Sequence, residues 1–232
     1  MQTAMSSKQA AGNRAATLVE DGMALGLGTG STVAYFLDAL ALRIRAEGLT
    51  LKGVPTSEAT AARARELGIP LTDLGETPRL DLVVDGADEV DPEFRLIKGG
   101  GGALLREKIV ASAADRVAIV VGEGKRVERL GTTFLLPVEV LPFGLAATRR
   151  KVEAAGPSQT FLRQKDDGSP FLTDNGNYIL DCKFDRGIEQ PEALHAEMSQ
   201  IPGVAELGLF LGLCHVLIEG HSAGTAQVLR KD

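Results

Sequence analysis

The stretch LDLVVDGADEVDPEFRLIKGGGGALLREK, Leu80 to Lys108, decides how this chain is read. Its first five residues, Leu80 to Val84, form a short apolar run of the kind that builds a buried parallel strand. The carboxyl end of that strand delivers Asp85 and Asp88, and ligands of open α/β sheets collect at such ends. Lys98 and four glycines, Gly99 to Gly102, come next, and Ala103 to Ala114 (ALLREKIVASAA) has the spacing of a helix. The glycines permit positive φ and close approach to a ligand. Glu107 falls one turn inside the helix. Singly, each feature has an ordinary structural reading: Asp-Gly as a turn, the glycine run as a loop, Arg106-Glu107-Lys108 as a solvated helix face. In concentration, two aspartates, a lysine, a glycine platform and a glutamate read as chemistry.

Upstream, Ser7 to Val19 has Ala and Leu at helical spacing with Ser6 or Ser7 as N-cap. Lys8 in its first turn opposes the helix dipole, so it is either an indifferent surface residue or one kept for a ligand. Met23 to Leu27 reads as a strand, and Gly26 to Thr32 (GLGTGST) as a glycine-rich turn entering a helix from Val33 to Glu47. Free N–H groups at the positive end of a helix attract an anion, and the Thr29, Ser31 and Thr32 hydroxyls add donors. A dinucleotide fingerprint starting at Gly26 needs Gly or Ala at position 31, where the chain has Ser31, and a Walker A loop needs a lysine before its Ser or Thr. Neither motif is present. Leu51 to Pro55 is a second strand, and Thr56 and Ser57 cap a helix from Ala59 to Leu67, with at most a supporting role at a site.

Downstream, Arg116 to Gly122 is another buried strand, and Lys125 follows at its carboxyl end, placed for a second cationic contact to an anion. From Thr132 the order becomes strand (FLLPVEVL), helix (Phe143 to Ala155), strand (QTFLR), strand (YILDCKF), helix (Pro191 to Gln200), strand (VAELGLF). That βαββαβ order is the ferredoxin-like arrangement. The turn Asp174 to Asn177 (DNGN) joins two of its strands, and Cys214 to Glu219 returns as a final strand to the first domain. The expected fold is α/β: a Rossmann-like parallel-sheet domain, residues 1–131 and 209–232, with a smaller ferredoxin-like α+β domain, residues 132–208.

With 232 residues the chain can bury a substantial core, and its net charge of −6 argues against a general nucleic-acid or anionic-membrane surface. Cys182 and Cys214 lie in apolar runs without metal-ligand spacing and read as reduced core residues. His195, His215 and His221 fall outside the glycine and acidic motifs, so a histidine base is not expected. The N-terminal stretch MQTAMSSKQAAGNRAATLVEDG lacks an apolar signal core, and no run is long enough for a membrane helix; the expected location is cytoplasmic.

GLGTGST, DGADEVD, KGGGGALLREK, LPVEVLP and DNGN, in this order and spacing, resemble the A-type ribose-5-phosphate isomerase family across essentially the whole chain. The resemblance implies interconversion of D-ribose 5-phosphate and D-ribulose 5-phosphate in the non-oxidative pentose phosphate pathway, with no cofactor and no metal, by a homodimer or homotetramer. It places the family's general base on Glu107 and the other catalytic groups on Asp85, Asp88 and Lys98. Substrate contacts fall on Thr29, Gly30, Ser31 and Thr32, on Asp85, Gly86, Ala87 and Asp88, on Lys98, Gly99, Gly100 and Gly101, and on Lys125 and Lys8. One departure is Gly102, where the family pattern has alanine; a fourth glycine is expected to loosen the loop. The chemistry agrees. Aldose–ketose isomerisation needs one base between C1 and C2, donors for an enediolate oxygen and help with ring opening. Glu107, Lys98 with backbone N–H groups, and Asp85 or Asp88 supply these, the division between the two aspartates being open.

Overall fold

The computed structural model describes residues 5–231. In chain order the elements are α1 (Ser7–Ala16), β1 (Ala24–Leu27), α2 (Ser31–Glu47), β2 (Lys52–Pro55), α3 (Glu58–Leu67), β3 (Leu82–Gly86), β4 (Glu89–Val90), β5 (Leu96–Ile97), α4 (Leu104–Ser112) and β6 (Val117–Val121). They continue with β7 (Leu136–Val140), α5 (Leu145–Ala154), β8 (Gln159–Leu162), β9 (Tyr178–Lys183), α6 (Pro191–Ser199), β10 (Val204–Leu207), β11 (Leu209–Phe210), β12 (Val216–Gly220) and β13 (Ala226–Arg230). The chain divides into two compact units, one of residues 1–87, 106–125 and 213–232, the other of residues 88–105 and 126–212.

The first unit is the Rossmann-like α/β layer, a six-stranded sheet in the order β13-β12-β6-β3-β1-β2. Its strands are parallel except for β13, which runs antiparallel to β12. Every residue of β1 and β6 is buried, the near-continuous apolar pattern of a strand covered on both faces. Leu25 and Leu27 of β1, Phe36 and Leu40 of α2, and Leu82 and Val84 of β3 form its core with Ala118, Val120 and Ile218. Burying each large apolar side chain contributes about 1.5–3 kcal/mol. The chain leaves β1 for β2 on one side and returns through β3 on the other. The reversal puts a crevice at the carboxyl ends of β1 and β3, where such sheets take ligands. Cβ-less Gly26 lets α4 approach, since a side chain there would meet Val110 Cγ1 at 2.7 Å.

The second unit holds an antiparallel sheet in the order β10-β7-β9-β8, backed by α5 and α6, which is the ferredoxin-like order for a βαββαβ chain. Leu136, Val138 and Leu180 pack with Val152 of α5 and Leu194 and Met198 of α6.

Four features differ from the sequence reading. First, residues 88–105 and 126–131 cluster with the second unit, whereas the expected boundary lay after residue 131. They do so because β4 and β5 form a hairpin that β11 extends into a separate three-stranded sheet, and Ile97 joins the second core. Second, VAELGLF is two strands. Gly208 breaks it, accepting from Lys98 N–H at 2.9 Å and standing where a Cβ would meet Pro137 Cδ at 2.8 Å. Third, β13 follows the strand expected to be last. Its half-exposed AQVLR pattern is that of an edge strand, without the continuous apolar run of a covered one. Fourth, Cys214 precedes β12; both cysteines are nonetheless buried and free, with burial pushing each thiol up to about 12.

Candidate active site

In the first unit lie a turn, two carboxylates and two lysines that the sequence singled out. Gly28 N–H bonds to Val84 O at 2.9 Å, which ties the end of β1 to β3. Asp85, 1% exposed, then turns one oxygen back onto Thr29 N–H (3.0 Å) and Gly86 N–H (2.7 Å). A Cβ on Gly28 would collide with that carboxylate, so glycine is required there. Gly30, at φ 122°, starts α2 with no side-chain cap, whereas Ser6 and Ser57 cap α1 and α3. An uncapped helix N-terminus carries unsatisfied N–H groups and the positive end of the dipole. Ser31 and Thr32 occupy its first turn. Lys8 reaches this point, with Nζ 2.9 Å from Ser31 Oγ. It gets there because α1 packs against Gly122 and Gly220 at the ends of β6 and β12, where a side chain would meet Ser7 and Lys8. Lys8 therefore lies at the first turn of α2.

Thr29 behaves differently from expectation. Its hydroxyl does not join those of Ser31 and Thr32 but sits 2.8 Å from Thr56 Oγ1, 2.9 Å from Ser57 Oγ and 3.2 Å from Thr60 Oγ1. Thr60 also donates to Gly28 O at 2.8 Å. This buried hydroxyl cluster clamps the turn, so Thr56 and Ser57 act on it through Thr29. Thr60 looked like any helix residue in sequence. Glu107, 4% exposed, is the fourth residue of α4, and its neighbour Arg106 pairs with Glu58 at 2.9 Å, which holds the Glu58 carboxyl below the usual range. A solvated helix face does not bury a glutamate to this degree. Lys125 is half-buried beyond β6.

The second unit holds Asp88, Lys98 and the glycine loop. The β4–β5 ladder pairs Glu89 with Ile97, and Asp88 N–H bonds to Ile97 O at 2.8 Å. Asp88 and Lys98 thus flank the last pair of that ladder. Lys98 is 3% exposed, with Nζ 5.4 Å from the centre of the Phe210 ring. Asp88 accepts from Gly100 N–H at 2.8 Å, and a Cβ on Gly100 would meet Asp88 Oδ1 at 2.8 Å.

The remaining acids of DGADEVD are structural. Glu89, fully buried, accepts from Gly131 N (2.5 Å), Thr133 N (2.6 Å), Thr133 Oγ1 (2.7 Å) and Phe134 N (2.8 Å). Asp91 caps the hairpin turn through Glu93 N (3.0 Å), Arg95 N (2.9 Å) and Arg95 Nε (2.6 Å). The DNGN turn is structural as well: Asn175 and Asn177 donate to buried Glu139 at 3.1 and 2.9 Å. Gly102, expected only to loosen its loop, makes room there for a packed side chain. At φ 79° it leaves room for the Phe171 ring, which a Cβ would meet at 2.5 Å. Among the described residues no group of three or more His, Cys, Asp or Glu could hold a metal ion, and no helix is long and apolar enough to cross a membrane.

Residues 52–224 match the model of ribose 5-phosphate isomerase A (phosphoriboisomerase A). The chain is 52% identical over 223 residues to the ribose-5-phosphate isomerase A of Parvibaculum lavamentivorans, covering 94% of this chain and 95% of that one. Among solved structures, the ribose 5-phosphate isomerase A of Methanocaldococcus jannaschii superposes with a TM-score of 0.91 at 39% identity, over 97% of this chain and 98% of that one. A D-ribose-5-phosphate isomerase in complex with phospho-erythronic acid superposes with a TM-score of 0.92 at 37% identity, over 97% of both chains.

Proposed function

The chain belongs to the ribose 5-phosphate isomerase A family, and we propose that its residues carry the interconversion of D-ribose 5-phosphate and D-ribulose 5-phosphate through an enediolate, with Glu107 as base. The isomerase activity, a step of the pentose phosphate pathway, follows from the family, which the chain matches over nearly its full length. The roles of individual residues are our reading. Glu107 takes the proton from C2 of the open-chain aldose. The C2–H electron pair becomes the C1–C2 double bond, and the aldehyde oxygen becomes an oxyanion beside the Lys98 ammonium. A proton passes from the C2 hydroxyl to that oxygen with help from Asp85 or Asp88. Glu107 then returns its proton to C1, leaving the ketone at C2. The phosphate docks at the uncapped start of α2, on Ser31 and Thr32 with Lys8 and Lys125 adding charge. Gly30, Gly86, Ala87 and the Gly99–Gly101 backbone line the sugar, with no cofactor.

The observation that carries this reading is the burial of Glu107 one turn into the helix after the glycine loop. The bound phospho-erythronic acid of the solved relative supports it, because a phosphorylated sugar acid has a planar carboxylate with the charge of an enediolate. Glu107→Gln keeps the shape and removes the basicity. General-base catalysis is worth about 10²–10⁴-fold, so kcat should fall by that order with little change in affinity. Asp85→Asn and Asp88→Asn should cost less. NMR of solvent deuterium entering C2 of ribose 5-phosphate isolates the proton transfer; exchange in Glu107→Gln at near the wild-type rate assigns the base elsewhere.

A cytoplasmic homodimer or homotetramer completes the proposal. Phe143, 95% exposed, with Leu141, Phe161 and Leu172 about half exposed, gives the second unit apolar surface for self-association. Light scattering showing a monomer at micromolar concentration would contradict it.

A further inference from the structure

The glycine loop is held from outside by residues that no motif includes. Arg163 directly follows β8, and its Nη1 donates to Gly99 O at 2.8 Å and to Gly100 O at 3.1 Å. The other edge of the guanidinium is engaged by Asp181 on β9, with Nε to Oδ2 at 2.9 Å and Nη2 to Oδ1 at 2.6 Å. In the β8–β9 register Arg163 lies opposite Ile179, so Asp181 is its diagonal neighbour on the same face. The guanidinium also sits 5.8 Å from the centre of the Phe171 ring, the ring that fills the space left by Gly102. One small cluster on the β8–β9 hairpin therefore contacts the loop at Gly99, Gly100 and Gly102.

The Gly99 carbonyl and the Gly100 N–H belong to a single peptide group. That group accepts from Arg163 at one end and donates to Asp88 Oδ2, at 2.8 Å, at the other. The result is a continuous relay: Asp181 carboxylate, Arg163 guanidinium, peptide 99–100, Asp88 carboxylate. A cation on the carbonyl polarises the peptide and strengthens its N–H as a donor, since hydrogen bonds in a chain reinforce one another in a low-dielectric setting. A peptide flanked by glycines has no side chains to fix its plane, so its orientation depends on hydrogen bonds: from Arg163 and from Gly102 N–H (3.0 Å) to its carbonyl, and from its N–H to Asp88. We propose that Arg163, oriented by Asp181, is a positioning residue for the isomerisation: it sets the plane of peptide 99–100 and through it the carboxylate of Asp88.

The proposal rests on the assignment of Asp88 to the site, and its test separates the two. An open cavity of about 340 Å³ lined by Gly100, Thr133, Phe134, Leu135, Arg163 and Asp181 gives solvent access to the guanidinium. Arg163→Ala in the full-length enzyme should therefore accept free guanidinium ion. We expect kcat to fall by about 10- to 100-fold, the scale of a misplaced catalytic group, with KM within about threefold because the phosphate contacts are untouched. Guanidinium at concentrations far below those that unfold proteins should restore part of kcat, which a purely structural arginine would not show. Arg163→Lys should recover little, since an ammonium cannot span the carbonyls and the carboxylate in one plane. A kcat of Arg163→Ala within about twofold of wild type, or a loss that guanidinium leaves unchanged, overturns the proposal. If Arg163→Ala does not fold, Asp181→Asn carries the same test, and a kcat within about twofold of wild type overturns it equally. Asp88→Asn with full activity would instead remove the site assignment on which the proposal rests.

Discussion

The turn Gly28–Thr32 and the loop Lys98–Gly102 are both glycine-rich and both precede helices, yet they are held in opposite ways. The turn is fixed by its own sheet and helices: Asp85 on the Thr29 N–H, the Thr56, Ser57 and Thr60 hydroxyls on the Thr29 side chain, and α2 beginning at Gly30. The loop is fixed by Asp88 on one side and by Arg163, Asp181 and Phe171, far along the chain, on the other. Similar composition therefore conceals different mechanics. A helix N-terminus supplies direction and charge by itself, whereas a run of glycines supplies only permission and must be given a shape.

If this contrast is right, damage to the turn should appear in binding and damage around the loop in turnover or stability. Ser31→Ala with Thr32→Ala would remove two donors to a charged group, each worth about 1.5–3 kcal/mol, so KM for ribose 5-phosphate should rise by about 100-fold or more while kcat changes much less. An unchanged KM in steady-state assays would move the phosphate away from α2. Next in size is Glu89→Gln, which puts an amide N–H₂ where a buried carboxylate accepts four hydrogen bonds. Breaking such a network costs about 3–5 kcal/mol, read from urea unfolding, while the folded fraction should keep near-normal kcat. A selective loss of kcat without loss of stability would make Glu89 part of the chemistry and blur the division of the acidic motif.

The smallest effect concerns Gly102→Ala. A non-glycine residue at positive φ costs about 1–2 kcal/mol, and the new Cβ must also displace the Phe171 ring. In a Phe171→Leu background the steric part should vanish and the conformational part remain. Equal costs in the two backgrounds, measured by denaturation, would mean that Phe171 does not shape the loop.

Much of this protein was legible before any coordinates. The runs Leu80–Val84 and Arg116–Gly122 read as covered strands because apolar residues leave no polar face to expose, and GLGTGST read as a glycine turn entering a helix, which α2 confirms. Asp85, Lys98 and Glu107 could be singled out because ionisable residues in a glycine-rich tract have few bland uses, and all three prove buried. The sequence could not tell which acids of DGADEVD serve structure, since that depends on which donors meet each carboxylate: backbone N–H groups among residues 131–134 for Glu89 and among residues 93–95 for Asp91. Nor could it foresee the β4–β5–β11 sheet, whose two-residue strands carry no periodicity, or the edge strand β13. Least visible of all was the grip of Arg163 on the glycine loop. Composition and periodicity act over a few residues, whereas a hydrogen bond spanning 64 residues exists only once the two segments have been brought together by the packing of the chain.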